Sequence, residues 1–311
     1  MKLEVGPRLP KNSRTDFRPK FSFSSEQNFQ SAVIVPGKRL KDNCTRMQVY
    51  SETGTSKKAI LFFAGWGMDE KPFTHMQHKD YDLIIFYDYT SLSFSGCPRE
   101  EVCSPGCSKG CIMQRIFSYY REITIIGWGF GVWCASAAFD KYLTRLGHFC
   151  QFRELKFWAK IKRAIAINGT LMPISATWGI SPQSLKKTIE ALPDTSVMEK
   201  FIRRMCQGKK EYEFYKAHAP QRETEQAKKE LLTIKENLFL SNSLTWDTAI
   251  TSQEDTIFKT SRQQTFWHNY SNITGGYIPG TRKKFNLRMV EIPGSHYMFN
   301  RFGSWEEILS L

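Results

Sequence analysis

The chain has 311 residues, 41% hydrophobic and 14% aromatic, which is enough apolar material for one large domain with a cap or for two ordinary domains, and too much for a disordered chain. Its formal net charge of +14 favours an acidic partner, whether nucleic acid, a membrane surface or an acidic carrier protein, without choosing among them. No apolar segment follows the basic start Met1–Pro10, and the longest apolar run, Ile123 to Phe139, is broken by glycines and falls short of the ~20 residues of a bilayer span, so a cytoplasmic protein without signal peptide or membrane segment is expected.

Residues 1–46 combine Pro7, Pro10, Pro19 and Pro36 with scattered Lys and Arg and read as a basic, solvated extension. From there apolar strands alternate with helix-length segments. Ala59–Phe63 is a buried strand ending in Ala64-Gly-Trp-Gly67, Asp82–Tyr89 is a second, Glu122–Ile126 a third and Arg163–Ile167 a fourth. Continuous apolar strands in this arrangement predict a parallel sheet covered on both faces. From Thr170 to about Leu244 the strand signal stops and helical patterns take over at Pro182–Ala191, Val197–Cys206 and Arg222–Asn237. The sheet resumes at Thr248–Ser252 and Leu287–Ile292, and Ser304–Leu309 closes the chain as a short helix. The division expected is an extension over 1–46, a core of 47–170 and 245–311, and a helical cap over 171–244.

Eight cysteines in a chain with no export signal read as reduced thiols. Cys97, Cys103, Cys107 and Cys111 fall within one Gly/Pro/Ser-rich stretch. A zinc site normally shows two C-x2-4-C pairs set apart by a longer spacer, so an inserted loop without metal is the favoured reading.

The chemistry centres on Ile123–Ala138, where β-branched residues narrow to Gly127, Gly129 and Gly131 and continue into small, helix-compatible residues. This is the frame of a nucleophile elbow, G-x-S-x-G, in which a strand turns sharply into a helix, and it predicts an α/β-hydrolase: a mostly parallel sheet, helices on both faces, an inserted helical cap. An acid and a histidine should follow in chain order. Asp255, with Glu254 as second choice, follows a late strand in Ser252–Phe258. His296, in Pro293–Phe299, stands between the last strand and the final helix. The oxyanion donors would be the backbone N–H groups of Phe130 and of Trp66.

These residues resemble the short esterases of biotin synthesis that hydrolyse the methyl ester of pimeloyl-acyl carrier protein. The resemblance rests on Phe62-Phe-Ala-Gly-Trp-Gly67, Leu83–Tyr89, Gly127–Trp133, Ala166–Thr170 with Pro173 and Trp178–Ile180, Phe201–Cys206, Asp255–Phe258 and His296–Phe302, spread over most of residues 58–310. It implies removal of a methyl group from a pimeloyl chain delivered by an acidic acyl carrier protein, with no cofactor. Arg203, Arg204, Lys186 and Lys187 would offer a carrier-docking surface, with Lys209 and Lys210 nearby. Membrane partners are not implied, and nucleic acid is disfavoured. Binding of metal or nucleic acid through the cysteine cluster and basic tail is the competing reading.

Three segments depart from the family pattern: the extension, the cysteine loop and an insertion over roughly Gly147–Lys162. The decisive departure is Gly129, where the family has serine. Glycine tolerates the strained turn but cannot attack a carbonyl, so no acyl-enzyme forms there. The chain is then a nucleophile knock-out, a copy that binds without turnover, or a slow hydrolase in which His296 activates water directly. Cys134 and Ser136 should lie on the following helix, out of reach of the oxyanion donors.

Overall fold

The computed structural model describes residues 38–39, 47–52, 54–92, 112–146, 159–239, 244–270, 272 and 286–311. Eight strands, β1 (Lys38–Arg39), β2 (Gln48–Glu52), β3 (Lys58–Phe63), β4 (Asp82–Tyr87), β5 (Glu122–Trp128), β6 (Ile161–Ile167), β7 (Thr248–Ser252) and β8 (Arg288–Ile292), form one sheet. Their order is β1-β2-β4-β3-β5-β6-β7-β8. The pairs β1–β2 and β2–β4 are antiparallel and all others are parallel. Strand β2 escapes sequence reading because it alternates buried and half-buried residues instead of running continuously apolar.

The parallel strands are apolar on both faces because both faces are covered. In β3, Ala59, Leu61 and Phe63 pack with Ile125, Val132, Trp133 and Phe139 on one side of the sheet. Their neighbours Ile60 and Phe62 pack with Phe73, Phe299 and Trp305 on the other, where the ring of Phe62 lies 4.7 Å from Phe73 and 4.8 Å from Trp305. The helices that follow the strands on the first side are α1 (Ile112–Tyr119) and α2 (Phe130–Leu146).

Register brings the carboxyl ends of the strands to one edge. Phe63 stands beside Gly127, Gly127 beside Ala166, Ile167 beside Ile250, and Ser252 beside Ile292. The segments that leave these ends, Ala64–Gly67, Gly129–Phe130, Asn168, Gln253–Phe258 and Pro293–Tyr297, therefore meet in the place where parallel sheets bind ligands.

Among the described residues four helices lie between β6 and β7: α3 (Pro182–Ala191), α4 (Thr195–Cys206), α5 (Lys209–Ala217) and α6 (Thr224–Glu236). Ser181 and Asp194 cap α3 and α4 by accepting from the backbone N–H of Ser184 and Ser196. Helix α5 was not expected from sequence, since only Tyr215 of its nine residues is buried and the apolar signal is correspondingly thin. After β7 come α7 (Thr260–His268) and, at the end, α8 (Trp305–Ser310). Among the described residues no helix is long and apolar enough to cross a membrane. The expected extension, apart from Lys38–Arg39, and the cysteine stretch from Cys97 to Cys111 lie outside the described residues, as does residue range 147–158 of the expected insertion.

A buried ionic network fastens α6 to the loops after β3 and β4. Arg222 Nη2 lies 3.1 Å from Asp88 Oδ1, and its Nη1 lies 2.9 Å from Glu230 Oε2. Glu230, fully buried, also accepts from the backbone N–H groups of Gly67 and Tyr89, each at 3.3 Å. Removing one partner of such a pair strands a buried charge, which costs about 3–5 kcal/mol. Glu230→Ala should therefore unfold at a clearly lower urea concentration than the parent with an unchanged m-value, and Glu230→Gln, which keeps an acceptor for the two N–H groups, should fall between them; equal midpoints for all three would show that the network does not stabilise the fold.

Candidate active site

Strand β5 ends at Trp128, Gly129 turns the chain with φ +58°, and α2 starts at Phe130. The three alternate glycines of this turn do different things. A β-carbon on Gly131 would come within 2.1 Å of the Phe63 carbonyl oxygen, and one on Gly127 within 2.7 Å of Val132 Cα, so both positions are closed by backbone. At Gly129 the nearest atoms would be His296 Nε2 at 3.2 Å, its Cε1 at 3.5 Å and the Asn168 carbonyl oxygen at 4.0 Å. A side chain at residue 129 thus meets no backbone within 3.5 Å and points at the imidazole, which must give by a few tenths of an ångström, and it is further resisted by the left-handed backbone.

His296 is held from three sides. Its Nδ1 lies 2.8 Å from Asp255 Oδ2. Its ring stacks on Phe258 with centroids 5.9 Å apart and tilts against Trp128 at 5.1 Å. Its carbonyl oxygen accepts from Trp128 Nε1 at 3.0 Å and from Asn168 Nδ2 at 2.9 Å. Asn168, in the left-handed region at φ +45°, also donates to Ser252 Oγ and accepts from the Ser252 N–H, both at 2.7 Å, and so ties the ends of β6 and β7 to the histidine loop.

Asp255 is buried, and its lone pairs are occupied. Oδ1 accepts from the backbone N–H groups of Ile257 and Phe258 at 2.8 and 2.9 Å, and Oδ2 accepts from Gln263 Nε2 at 2.9 Å besides facing the imidazole. With Nδ1–H donating to that carboxylate, Nε2 carries the free lone pair on the side of residue 129. Glu254, the second-choice acid, is exposed and places no oxygen on the histidine.

Gly65, Trp66, Phe130 and His296 share the wall of one cavity of about 220 Å³. The backbone N–H groups of Trp66 and Phe130 have no acceptor among the described residues. The Trp66 side chain packs inward, its ring 4.8 Å from Phe201 and its indole N–H on the Ala227 carbonyl at 2.7 Å. The helices above contribute Leu185, Phe201 and Leu231, and the rim carries Arg204, Lys259 and Arg262.

Cys134 and Ser136 sit on α2 and are fully buried, and burial pushes the Cys134 thiol far above its ordinary value. Ser136 Oγ accepts from Trp246 Nε1 at 3.0 Å. Neither faces the cavity. Of the basic residues expected to dock a carrier, Lys186 and Lys187 are exposed on α3, with Lys186 Nζ 3.7 Å from Glu190 and Lys187 without an ion-pair partner among the described residues. Arg203 pairs with Glu199 at 3.0 Å and lies over the Tyr212 ring at 4.5 Å. Arg204 donates to the Thr256 carbonyl at 3.2 Å. Among the described residues no three His, Cys, Asp or Glu side chains are grouped to hold a metal ion.

A mostly parallel sheet flanked by helices, with an elbow, a carboxylate and a histidine at the carboxyl ends of its strands, defines an α/β-hydrolase. Residues 109–308 match the family described as pimeloyl-ACP methyl esterase BioG, and the chain belongs to that family. BioG from Haemophilus influenzae is similar in structure, with a TM-score of 0.59 and 26% identity over 85% of this chain and 99% of that one. A thermophilic esterase from Thermogutta terrifontis shares the fold at a TM-score of 0.50 and 14% identity, covering 85% of this chain and 90% of that one. A malonyl-[acyl-carrier protein] O-methyltransferase from Bacteroides fragilis is 34% identical over 72% of this chain, and the match spans only 41% of that relative's length.

Sequence reasoning did not find Gln263, which sits on an unanticipated helix, or Trp128 and Asn168 as supports of the histidine backbone. Asn168 left a trace, since an Asn-Gly pair directly after an apolar strand marks a turn. From the glycine geometry, Gly131→Ala and Gly127→Ala should be strongly destabilised or fail to accumulate as folded protein. Gly129→Ser should lose only about 1–2 kcal/mol, the cost of a left-handed non-glycine residue. Thermal unfolding of the three variants checks this ranking, and equal losses at all three positions would contradict it.

Proposed function

We propose that the chain is a methyl esterase of the pimeloyl-acyl carrier protein type whose acid and base are Asp255 and His296, whose oxyanion donors are the Trp66 and Phe130 N–H groups, and whose nucleophile position is vacant at Gly129. One observation carries this reading: the β-position of Gly129 points at His296 Nε2 from 3.2 Å, and the opposite ring nitrogen is 2.8 Å from a carboxylate already satisfied by three other donors. A serine hydroxyl placed there is within reach of the lone pair that would take its proton, and the carbonyl it attacked would direct its developing charge toward the start of α2.

Without that hydroxyl the covalent route is closed. What remains is water, deprotonated at Nε2 while the same N–H donors hold the oxyanion, and this supports only slow turnover. The buried Cys134 and Ser136 supply no substitute nucleophile.

The apolar wall formed by Leu185, Phe201 and Leu231 suits a methylene chain. A carrier's acidic surface would approach the exposed Lys186, Lys187, Lys209 and Lys210, with Arg204 at the rim guiding the arm inward. The partner on this reading is an acyl carrier protein bearing a pimeloyl methyl ester, and the compartment is the cytoplasm. A relative named for O-methylation of malonyl-acyl carrier protein agrees with this, since that reaction leaves a methyl ester on a carrier-bound acyl group.

Side-by-side hydrolysis of the methyl ester of pimeloyl-acyl carrier protein tests the reading. Gly129→Ser should exceed the parent chain by about 10³-fold or more, and adding His296→Ala to it should remove the gain. Comparable rates for parent and serine variant would place the nucleophile elsewhere, and no turnover by either would remove the substrate assignment.

A further inference from the structure

The vacancy changes what the site binds, independently of what it hydrolyses. His296 is 97% buried by its 3% relative exposure, yet its Nε2 has no hydrogen-bond partner among the described residues and faces the space where the residue 129 side chain would stand. Beside that space, α2, 17 residues long, begins at Phe130, with its first N–H unpaired and with the Trp66 N–H on the same cavity wall. A buried imidazole backed by a carboxylate, together with backbone donors at a helix N-terminus, makes a set that a neutral ester satisfies poorly. An ester offers one carbonyl oxygen and a methoxy group, and the methoxy oxygen is a weak acceptor.

We infer that the native chain is a carboxylate-binding protein, with the pocket at Gly129 holding the free terminal carboxylate of an aliphatic acyl chain in preference to its methyl ester. One carboxylate oxygen takes the backbone N–H groups of Trp66 and Phe130. The other occupies the space left at Gly129, within hydrogen-bond reach of His296 Nε2, whose opposite ring nitrogen lies against Asp255. In an enzyme with a serine the Oγ fills that space and the second oxygen has no place. The apolar wall of Leu185, Phe201 and Leu231 then follows the methylenes outward. The ligand class is therefore an ω-carboxyacyl thioester, the demethylated form of the substrate assigned above. The inference rests on that reading of the site, though not on any turnover by it.

The test is calorimetric binding of two probes to the full chain: the N-acetylcysteamine thioester of heptanedioic acid with its far carboxyl free, and the same thioester with that carboxyl methylated. The free acid should bind about tenfold or more tightly, the difference expected for one charge-assisted hydrogen bond to a buried group. That preference should collapse in Gly129→Ser and in His296→Gln, two variants that alter the pocket in different ways and whose folding is checked by circular dichroism. Equal or tighter binding of the ester, binding of neither probe, or a preference for acid that survives both substitutions would each overturn the inference. An active Gly129→Ser esterase together with a parent that shows no acid preference sinks this inference alone. An acid preference with no hydrolysis by the serine variant sinks the esterase assignment alone.

Discussion

Backbone packed against backbone at the end of β5 is the constraint on which the site depends. Gly131 admits the Phe63 carbonyl, Gly127 admits Val132, and a β-carbon on Gly169 would meet the Gly129 carbonyl at 2.2 Å, so three strand ends and one helix start are drawn together more closely than side chains allow. This closeness fixes where residue 129 stands and which way its β-position points. It does not require any particular side chain there, and the catalytic frame can therefore persist with the nucleophile gone.

Support for the histidine comes from outside the elbow. Trp128 and Asn168 hold its carbonyl, Phe258 and Trp128 flank its ring, and Asp255 orients it while being held itself by Ile257, Phe258 and Gln263. These contacts join β5, β6, β7 and the loop after β8, so the imidazole is located by the sheet and not by the residue it would activate. On the other side, Glu230 and Ala227 of α6 hold Gly67 and the Trp66 indole, which couples the loop after β3 to the helices above the sheet.

Much of this could be read from the sequence because it is local. Continuous apolar runs gave the parallel strands, and alternate glycines between a β-branched run and small residues gave the elbow. The order of Asp255 and His296 after late strands could be read as well, and in the structure the two side chains meet at 2.8 Å. What could not be read depends on distant partners. The Trp66 indole meets a carbonyl 161 residues away and Glu230 receives an N–H from 141 residues away, and no spacing rule connects such positions. Helix α5 was missed because it buries too little to leave a periodic trace, and strand β2 because it is not continuously apolar. Arg203 looked like a free docking cation in sequence; in the structure it is paired with Glu199 and laid over Tyr212, which leaves the exposed lysines as the less encumbered charges.

The central claim is that a complete hydrolase frame surrounds an absent nucleophile, and covalent labelling reads this most directly. An alkyl fluorophosphonate reacts readily with a serine hydroxyl activated by a histidine and placed before an oxyanion hole. The account predicts no adduct by intact mass on the native chain, and one adduct, on the peptide containing residue 129, in the Gly129→Ser variant. A stoichiometric adduct on the native chain would show that another side chain serves as nucleophile and would contradict the account.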